Sequence, residues 1–217
     1  EWGSFLPLIF RAYGDYKLPL YIYLTIPSVL IFGLTPFSVR LVSIVAGSLL
    51  PVLIYLIVGK ILPKDTKIPL FAALICLFSP GTLFLSRIAL EANLFAFLFC
   101  LSLYFLITKK YSFSSFIYGL SLFTYNSSRA LLPFFIISLI YFLVKNKYPL
   151  KKNLLHFLPF LIFIILTAWQ MLNQSGQARY QWVSLLDSGS VNRINELRQT
   201  YPRILVNELT FRSEEHT

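Results

Sequence analysis

The residues that could do chemistry stand in short polar breaks between long apolar stretches of the chain. They are Asp15, Lys17, Arg87, Glu91, Asn93, Asn126 and Arg129. Ionisable side chains beside hydrocarbon are costly, so they are functional candidates by default. The planar guanidinium of Arg makes bidentate, charge-assisted bonds to phosphate. Cations and carboxylates gathered at a membrane surface therefore predict an anionic headgroup as substrate, such as a lipid-linked phosphate.

Other kinds of site are not predicted. The sequence has no cluster of His, Cys and carboxylate residues with metal-site spacing, no glycine-rich phosphate loop and no nucleophile elbow. Cys76 and Cys100 lie inside apolar runs, which is typical of small core residues. We therefore expect no metal site and no certain cofactor.

Membrane helices must position these residues. The chain is 57% hydrophobic and 13% charged, whereas soluble domains carry about 25% charged residues. This composition excludes a disordered chain and argues against a soluble enzyme. A bilayer core needs about 20 apolar residues per helix, and six runs meet or approach that length. They are Val39–Gly59, Ile68–Leu85, Ala89–Thr108, Phe113–Tyr125, Ala130–Val144 and Leu154–Leu172. The predicted fold is an all-α, polytopic transmembrane bundle.

The lysines predict the orientation of the bundle in the cell membrane. Nine of the ten Lys lie in the connections after the first, third and fifth runs, and none of the nine Arg does. These are Lys60, Lys64, Lys67, Lys109, Lys110, Lys145, Lys147, Lys151 and Lys152. Positive residues in short loops stay cytoplasmic, so the candidate residues face outward. The net charge of +10 follows from topology and does not call for nucleic acid.

The segment Leu18–Leu34 is apolar but contains Pro19, Pro27 and Gly33. We expect an interfacial helix on the outer surface, because a full span here would invert the lysine rule; the full span remains the alternative. The expected organisation is an outer loop with this helix at residues 1–38 and a transmembrane domain at 39–172. A further outer loop begins at residues 173–211.

Both ends of the sequence suggest a piece of a longer protein. The chain starts at Glu1, not at Met, and residues 212–217 read Arg-Ser-Glu-Glu-His-Thr. That hexapeptide is what the start of a common sequencing adapter encodes. We expect it to be an artefact, with a real acidic terminus as the alternative, and exclude it from fold reasoning.

Several motifs in order resemble a known family. Glu1-Trp2-Gly3 and Gly14-Asp15-Tyr16-Lys17-Leu18-Pro19-Leu20-Tyr21 look like the first outer loop of protein O-mannosyltransferase-like glycosyltransferases, which have the GT-C fold. Four later motifs are also similar: Phe32-Gly33-Leu34 with Val39-Arg40-Leu41, Ser86-Arg87-Ile88-Ala89-Leu90-Glu91-Ala92-Asn93, Tyr125-Asn126-Ser127-Ser128-Arg129 and Arg193-Ile194-Asn195-Glu196.

The resemblance implies an inverting transfer of a mannose-like sugar from a polyprenyl-phosphate donor to a protein or envelope-glycan acceptor. Glu1 matches the second residue of the family's catalytic Asp-Glu pair. The Asp would precede Glu1, so the chain as given lacks it and is expected to be inactive alone. Lys17 matches a lysine near the lipid phosphate, and Glu91 a second acidic position within a residue or two. Metal dependence stays open.

Each candidate also has a structural alternative. Lys17 could anchor the interfacial helix by snorkelling, and Arg87 could pair with Glu91, four residues later, on one helical face. Arg129 could mark a helix boundary, and Asp15 could be a cap or turn residue. A transporter or lipid-linked oligosaccharide flippase is the alternative function. It is disfavoured because transporters place polar groups near the bilayer midplane, whereas these charges gather at one face.

Overall fold

A computed structural model describes residues 7–12, 15–65, 67–148 and 157–172. Within these ranges a two-stranded hairpin precedes eight helices. The strands are β1 (Phe10–Ala12) and β2 (Asp15–Lys17), paired antiparallel with Phe10 opposite Lys17. The helices are α1 (Pro19–Phe32), α2 (Pro36–Ile61), α3 (Lys67–Phe78), α4 (Pro80–Arg87), α5 (Glu91–Ile107), α6 (Tyr111–Ser121), α7 (Ser127–Lys145) and α8 (Leu158–Leu172). The predicted helical class is confirmed, but the hairpin was not predicted.

Two of the described helices, α2 and α7, are long and apolar enough to cross a membrane. The predicted run Ile68–Leu85 is instead two helices, α3 and α4, bent by 53°. Pro80 begins α4, and proline cannot continue the hydrogen-bond ladder of a preceding helix. If that pair is one broken span, the described residues hold three. The six-span count therefore stays a prediction; α6, at 11 residues, is about 16 Å long and falls well short of a bilayer core.

The helix α1 differs from an interfacial helix in its polarity. Its buried Tyr21 and Ser28 face α2, where Ser28 Oγ donates to the Ser38 carbonyl at 2.6 Å. Its exposed side is apolar, with Leu30 80% and Ile31 73% exposed. An interfacial helix turns a polar face to water, so the interfacial placement is not supported. At 14 residues, α1 measures about 21 Å and also falls short of a full span.

The turn between α1 and α2 is closed by local chemistry. Gly33 adopts φ 72°, a left-handed conformation that glycine accepts without strain. Thr35 and Ser38 then form a capping box around the first turn of α2, with Pro36 at the first helical position. These bonds satisfy backbone donors that the helix itself leaves unpaired.

The largest core cluster forms where α6 packs between its neighbours. Tyr118 stacks on Phe135 with ring centroids 3.9 Å apart and donates a hydrogen bond to the Ser128 carbonyl at 2.9 Å. Ser114 Oγ donates to the Ser102 carbonyl at 2.8 Å, which joins α6 to α5. Small residues and interhelical hydrogen bonds are what hold helices together when lipid surrounds them.

The described lysine loops gather at one end of the bundle, called here the lysine end: 60–67, 109–110 and 145–147. The phenol of Tyr111, beside the second loop, donates to the Phe142 carbonyl, and its ring contacts Tyr148 beside the third. Ser43 of α2 bonds the backbone just before α5, so the N-terminal parts of these helices lie near each other. Lys60 is in the last turn of α2, and Lys109 follows the end of α5. The grouping inferred from the sequence agrees with these contacts.

Close packing of α2 on α4 makes Gly47 sensitive to substitution. We expect Gly47→Ala to destabilise the protein by about 1–3 kcal/mol, the usual effect of overpacking, because the new Cβ would lie 2.5 Å from Ser86 Cβ. Gly81→Ala is the control: its nearest atom is Ser79 Oγ at 3.8 Å, and Ala favours a helix by up to about 1 kcal/mol. Thermal unfolding in detergent measures both. Equal melting temperatures for the two variants would contradict the described α2–α4 contact.

Candidate functional site

The hairpin delivers Lys17 to the first turn of α5. Lys17 ends β2, and its Nζ lies 3.7 Å from Oε1 of Glu91, the first residue of α5. The side chains are 35% and 16% exposed. A carboxylate at a helix N-terminus also interacts favourably with the helix dipole. A cation and a carboxylate, both partly accessible, therefore meet at the edge of the bundle.

A buried hydrogen-bond network fixes the start of α5. Asn93 is 1% exposed, and its Nδ2 donates to the Ser43 carbonyl at 2.7 Å. Ser43 Oγ donates to the Leu90 carbonyl at 3.4 Å. Tyr21 from α1 joins the network, donating to the Val39 carbonyl at 3.1 Å and lying 3.1 Å from Ser43 Oγ. Burial raises the pKa of the Tyr21 phenol. These contacts support a structural role for Asn93, and its role in substrate binding stays a prediction.

Arg129 contributes to a second polar contact, which involves a residue that was not predicted. Its Nη2 donates to Gln170 Oε1 at 2.7 Å, and Gln170 Nε2 donates to the Leu8 carbonyl at 2.9 Å. Leu8 precedes the hairpin that carries Lys17, so one short segment connects both contacts. Gln170 could have been suspected as a single amide inside an otherwise apolar run. We call Lys17, Tyr21, Glu91, Arg129 and Gln170 the polar end.

The remaining candidates are placed separately. Arg87 is exposed at the last position of α4. Among the described residues it forms no ion pair with Glu91. Arg87 ends α4 and Glu91 begins α5, so the two residues do not lie on one helical face. Asn126 lies half-buried just before α7. Asp15 belongs to β2, opposite Ala12. Glu1 and the predicted segments 173–211 and 212–217 lie outside the described residues.

A search of the described residues for metal ligands finds no group of three His, Cys, Asp or Glu residues that could hold an ion. Cys76 and Cys100 are both free thiols. The chemistry available in the described part of the site is therefore that of a lysine, a carboxylate, arginines and amides.

An apolar groove of about 360 Å³ lies between α1, α2 and α5. Its walls include Leu24 and Ile31 of α1, Val45 of α2, and Leu94 and Phe97 of α5. Leu24 lies three residues after Tyr21, and Leu94 three residues after Glu91, which is about one helical turn in each case. The groove therefore begins one turn away from the Lys17–Glu91 pair.

A comparison with protein families identifies the family of the chain. The family model described as dolichyl-phosphate-mannose-protein mannosyltransferase matches residues 17–171. The chain belongs to this family. No curated protein and no solved structure matches it. Membership in this mannosyltransferase family confirms the resemblance at family level, indicates a membrane glycosyltransferase, and does not favour the transporter or flippase alternative. The matched range begins at Lys17 and includes Glu91, Arg129 and Gln170.

The buried position of Asn93 predicts a structural effect on substitution. Asn93→Leu keeps the side chain's approximate size but removes the donor to the Ser43 carbonyl, so we expect a loss of about 1–3 kcal/mol. Asn146→Leu is the control, because Asn146 is half-buried at the lysine end and its Nδ2 donates to the Phe142 carbonyl at the end of its own helix. Thermal unfolding in detergent compares them. An unchanged melting temperature for Asn93→Leu would instead favour the predicted role in substrate binding.

Proposed function

We propose that the protein transfers mannose from a polyprenyl-phosphate donor to a hydroxyl group of a protein or envelope-glycan acceptor, with inversion, at its polar end. The observation that carries this proposal is the Lys17–Glu91 pair beside the apolar groove. A lipid phosphate needs a cation at its headgroup and an apolar surface for its chain. In this mannosyltransferase family member, Lys17 supplies the cation and the groove supplies the apolar surface. The two lie about one helical turn apart.

Lys17 is proposed to bind the donor phosphate. The pair with Glu91 spans 3.7 Å between partly exposed side chains, and such pairs contribute at most about 1 kcal/mol. Exchanging Glu91 for a phosphate oxygen therefore costs little, while the new contact is charge-assisted. In the transfer the bond between the anomeric carbon and the phosphate oxygen breaks. A fixed cation stabilises the negative charge that develops on the leaving phosphate.

The apolar groove is proposed to receive the first isoprene units of the donor. Its walls are hydrocarbon from three helices, and burial of apolar surface contributes about 25 cal/mol per Å². The groove lies on the side of α1 that exposes apolar residues, so the donor could enter from the surrounding lipid. This arrangement supports a lipid-linked donor over a soluble sugar nucleotide.

The other candidates receive distinct proposed roles. Arg87, exposed at the end of α4, is proposed as a second phosphate ligand, and Asn126 and Asp15 are proposed as further substrate-binding residues. Arg129 is engaged with Gln170, which supports a structural contribution. Glu1 is proposed to contribute to orienting the acceptor hydroxyl, which loses its proton to a carboxylate as its oxygen attacks the anomeric carbon.

The polar end is proposed to face the outside of the cytoplasmic membrane. The lysine end is formed by short loops rich in Lys, and such loops are retained in the cytoplasm. The Lys17–Glu91 pair lies at the opposite ends of the same helices, so donor and acceptor would meet on the extracytoplasmic side.

Substitution of Lys17 tests donor binding. We expect Lys17→Ala to weaken binding of polyprenyl-phosphate mannose by about 10-fold or more, since bonds to charged groups contribute about 1.5–3 kcal/mol. Binding is measured with radiolabelled donor on protein in lipid nanodiscs. Lys110→Ala, at the lysine end, is the control and should bind donor as the unchanged protein does. Equal affinity in both variants would exclude Lys17 as a phosphate ligand. Mannose transfer to a Ser/Thr peptide tests the reaction itself, in membranes from cells that express the chain with the coding sequence upstream of Glu1 restored.

Filling the groove tests where the lipid chain lies. Val45→Trp should weaken binding of polyprenyl-phosphate mannose because the indole occupies space between α1 and α2. Val52→Trp is the matched control: both valines belong to α2 and are similarly exposed, at 49% and 52%, but Val52 does not line the groove. Water-soluble mannose phosphate, which has no lipid chain, should bind both variants alike. Equal donor binding by the two tryptophan variants would contradict the groove assignment.

A further inference from the structure

We propose that Gln170 is a positioning residue that holds the hairpin, and through it Lys17, against the helices α7 and α8. Gln170 contacts neither Lys17 nor Glu91 among the described contacts, so its effect on Lys17 would be indirect. Its consequence for donor binding rests on the proposed function of Lys17. The positioning itself is a structural property that can be measured without any ligand.

Gln170 uses both ends of its amide to join distant parts of the chain. Its Oε1 accepts from Arg129 Nη2 at 2.7 Å, and its Nε2 donates to the Leu8 carbonyl at 2.9 Å. The second bond spans 162 residues of sequence. Because one amide serves both partners, α7, α8 and the segment before β1 are tied at one point.

The surroundings of Gln170 argue that these bonds have a specific use. Apart from Thr167, the rest of α8 presents apolar or aromatic side chains, including exposed Ile165, Trp169 and Met171, whereas Gln170 is 1% exposed. An amide buried without partners costs several kcal/mol, so Gln170 is tolerated only while both bonds are made. A hydrophobic residue would hold α8 in the bundle equally well, but it could not bind the Leu8 carbonyl.

Further contacts anchor the same segment on both sides of Lys17. Tyr23 of α1 donates to the Pro7 carbonyl at 2.7 Å, and its ring contacts Phe10 with centroids 5.8 Å apart. After the hairpin, the Leu20 amide donates to the Phe123 carbonyl at 3.0 Å. Lys17 therefore stands between two anchored points. Of the contacts that hold the segment before the hairpin, the bond from Gln170 to the Leu8 carbonyl is the one made by α8.

Loss of the Gln170 bond should loosen β1 and, through strand pairing, β2. Phe10 lies opposite Lys17 in the hairpin register, so displacement of the first strand is passed directly to Lys17. The side chain of Lys17, the proposed ligand of the donor phosphate, would then occupy positions away from Glu91 and the groove. Donor affinity should fall while the remaining helices keep their packing.

The test measures the spread of positions of residue 17. Spin labels are placed on Lys17→Cys and Lys110→Cys in a chain with Cys76→Ala and Cys100→Ala, and pulsed electron paramagnetic resonance gives the distance distribution in nanodiscs. We expect Gln170→Leu to broaden the distribution of distances between the labels at positions 17 and 110. Gln170→Glu should broaden it too, because an ionised carboxylate still accepts from Arg129 but cannot donate to Leu8, and this variant serves if Gln170→Leu does not fold.

Thr167→Val is the matched control, because Thr167 is also buried on α8, but its hydroxyl donates to the Phe163 carbonyl of its own helix. It should leave the distribution narrow. A narrow distribution in both Gln170 variants, or equal broadening in Thr167→Val, would overturn the positioning role. Donor binding separates the two proposals: if Lys17 does not bind phosphate, Gln170→Leu and Lys17→Ala both leave donor affinity unchanged, while the broadening persists.

Discussion

The candidate site depends on one buried hydrogen bond, from Asn93 Nδ2 to the Ser43 carbonyl. It fixes the first turn of α5 against α2 at a depth where water cannot compete, and Glu91 lies only two residues earlier. Tyr21 extends the same network to α1, which carries the hairpin on its N-terminal side. Because the three helices meet at this network, their packing brings the backbone of Lys17 and the backbone of Glu91 near each other.

The polarity of the described helices separates two kinds of surface. Apolar side chains such as Leu30, Ile75 and Phe134 are exposed, while hydroxyls and amides are turned inward to bond neighbouring backbone. This arrangement suits hydrocarbon, where each unpaired polar group is costly. The exceptions are the two ends of the bundle, where lysines lie at one end and the Lys17–Glu91 pair at the other. The chain thus presents an apolar groove beside a charged pair, the two features that a phosphate on a lipid chain requires.

Composition and apolar runs predicted the helices well, because length and hydrophobicity alone decide where a membrane helix is stable. Loop lysines predicted which helix ends lie together, and the motif order predicted the mannosyltransferase family. The sequence could not predict how side chains are used. Asn93 was expected at the substrate but is buried by tertiary packing, and the bend before Pro80 divides a run that hydropathy reads as continuous. Gln170 was not predicted because its partner Leu8 is 162 residues away. The bond is made to the backbone carbonyl of Leu8, which every residue type has, so the sequence gives no sign of it.

The central claim is that a lipid phosphate binds beside Lys17 with its chain in the groove between α1, α2 and α5. The most direct measurement is photo-crosslinking with a polyprenyl phosphate that carries a diazirine in its first isoprene unit, followed by peptide mass spectrometry. The account predicts adducts on groove residues such as Leu24, Val45 and Phe97, and their loss when unlabelled polyprenyl-phosphate mannose competes. Adducts confined to the exposed faces of α3 or α7, or insensitive to that competitor, would contradict it.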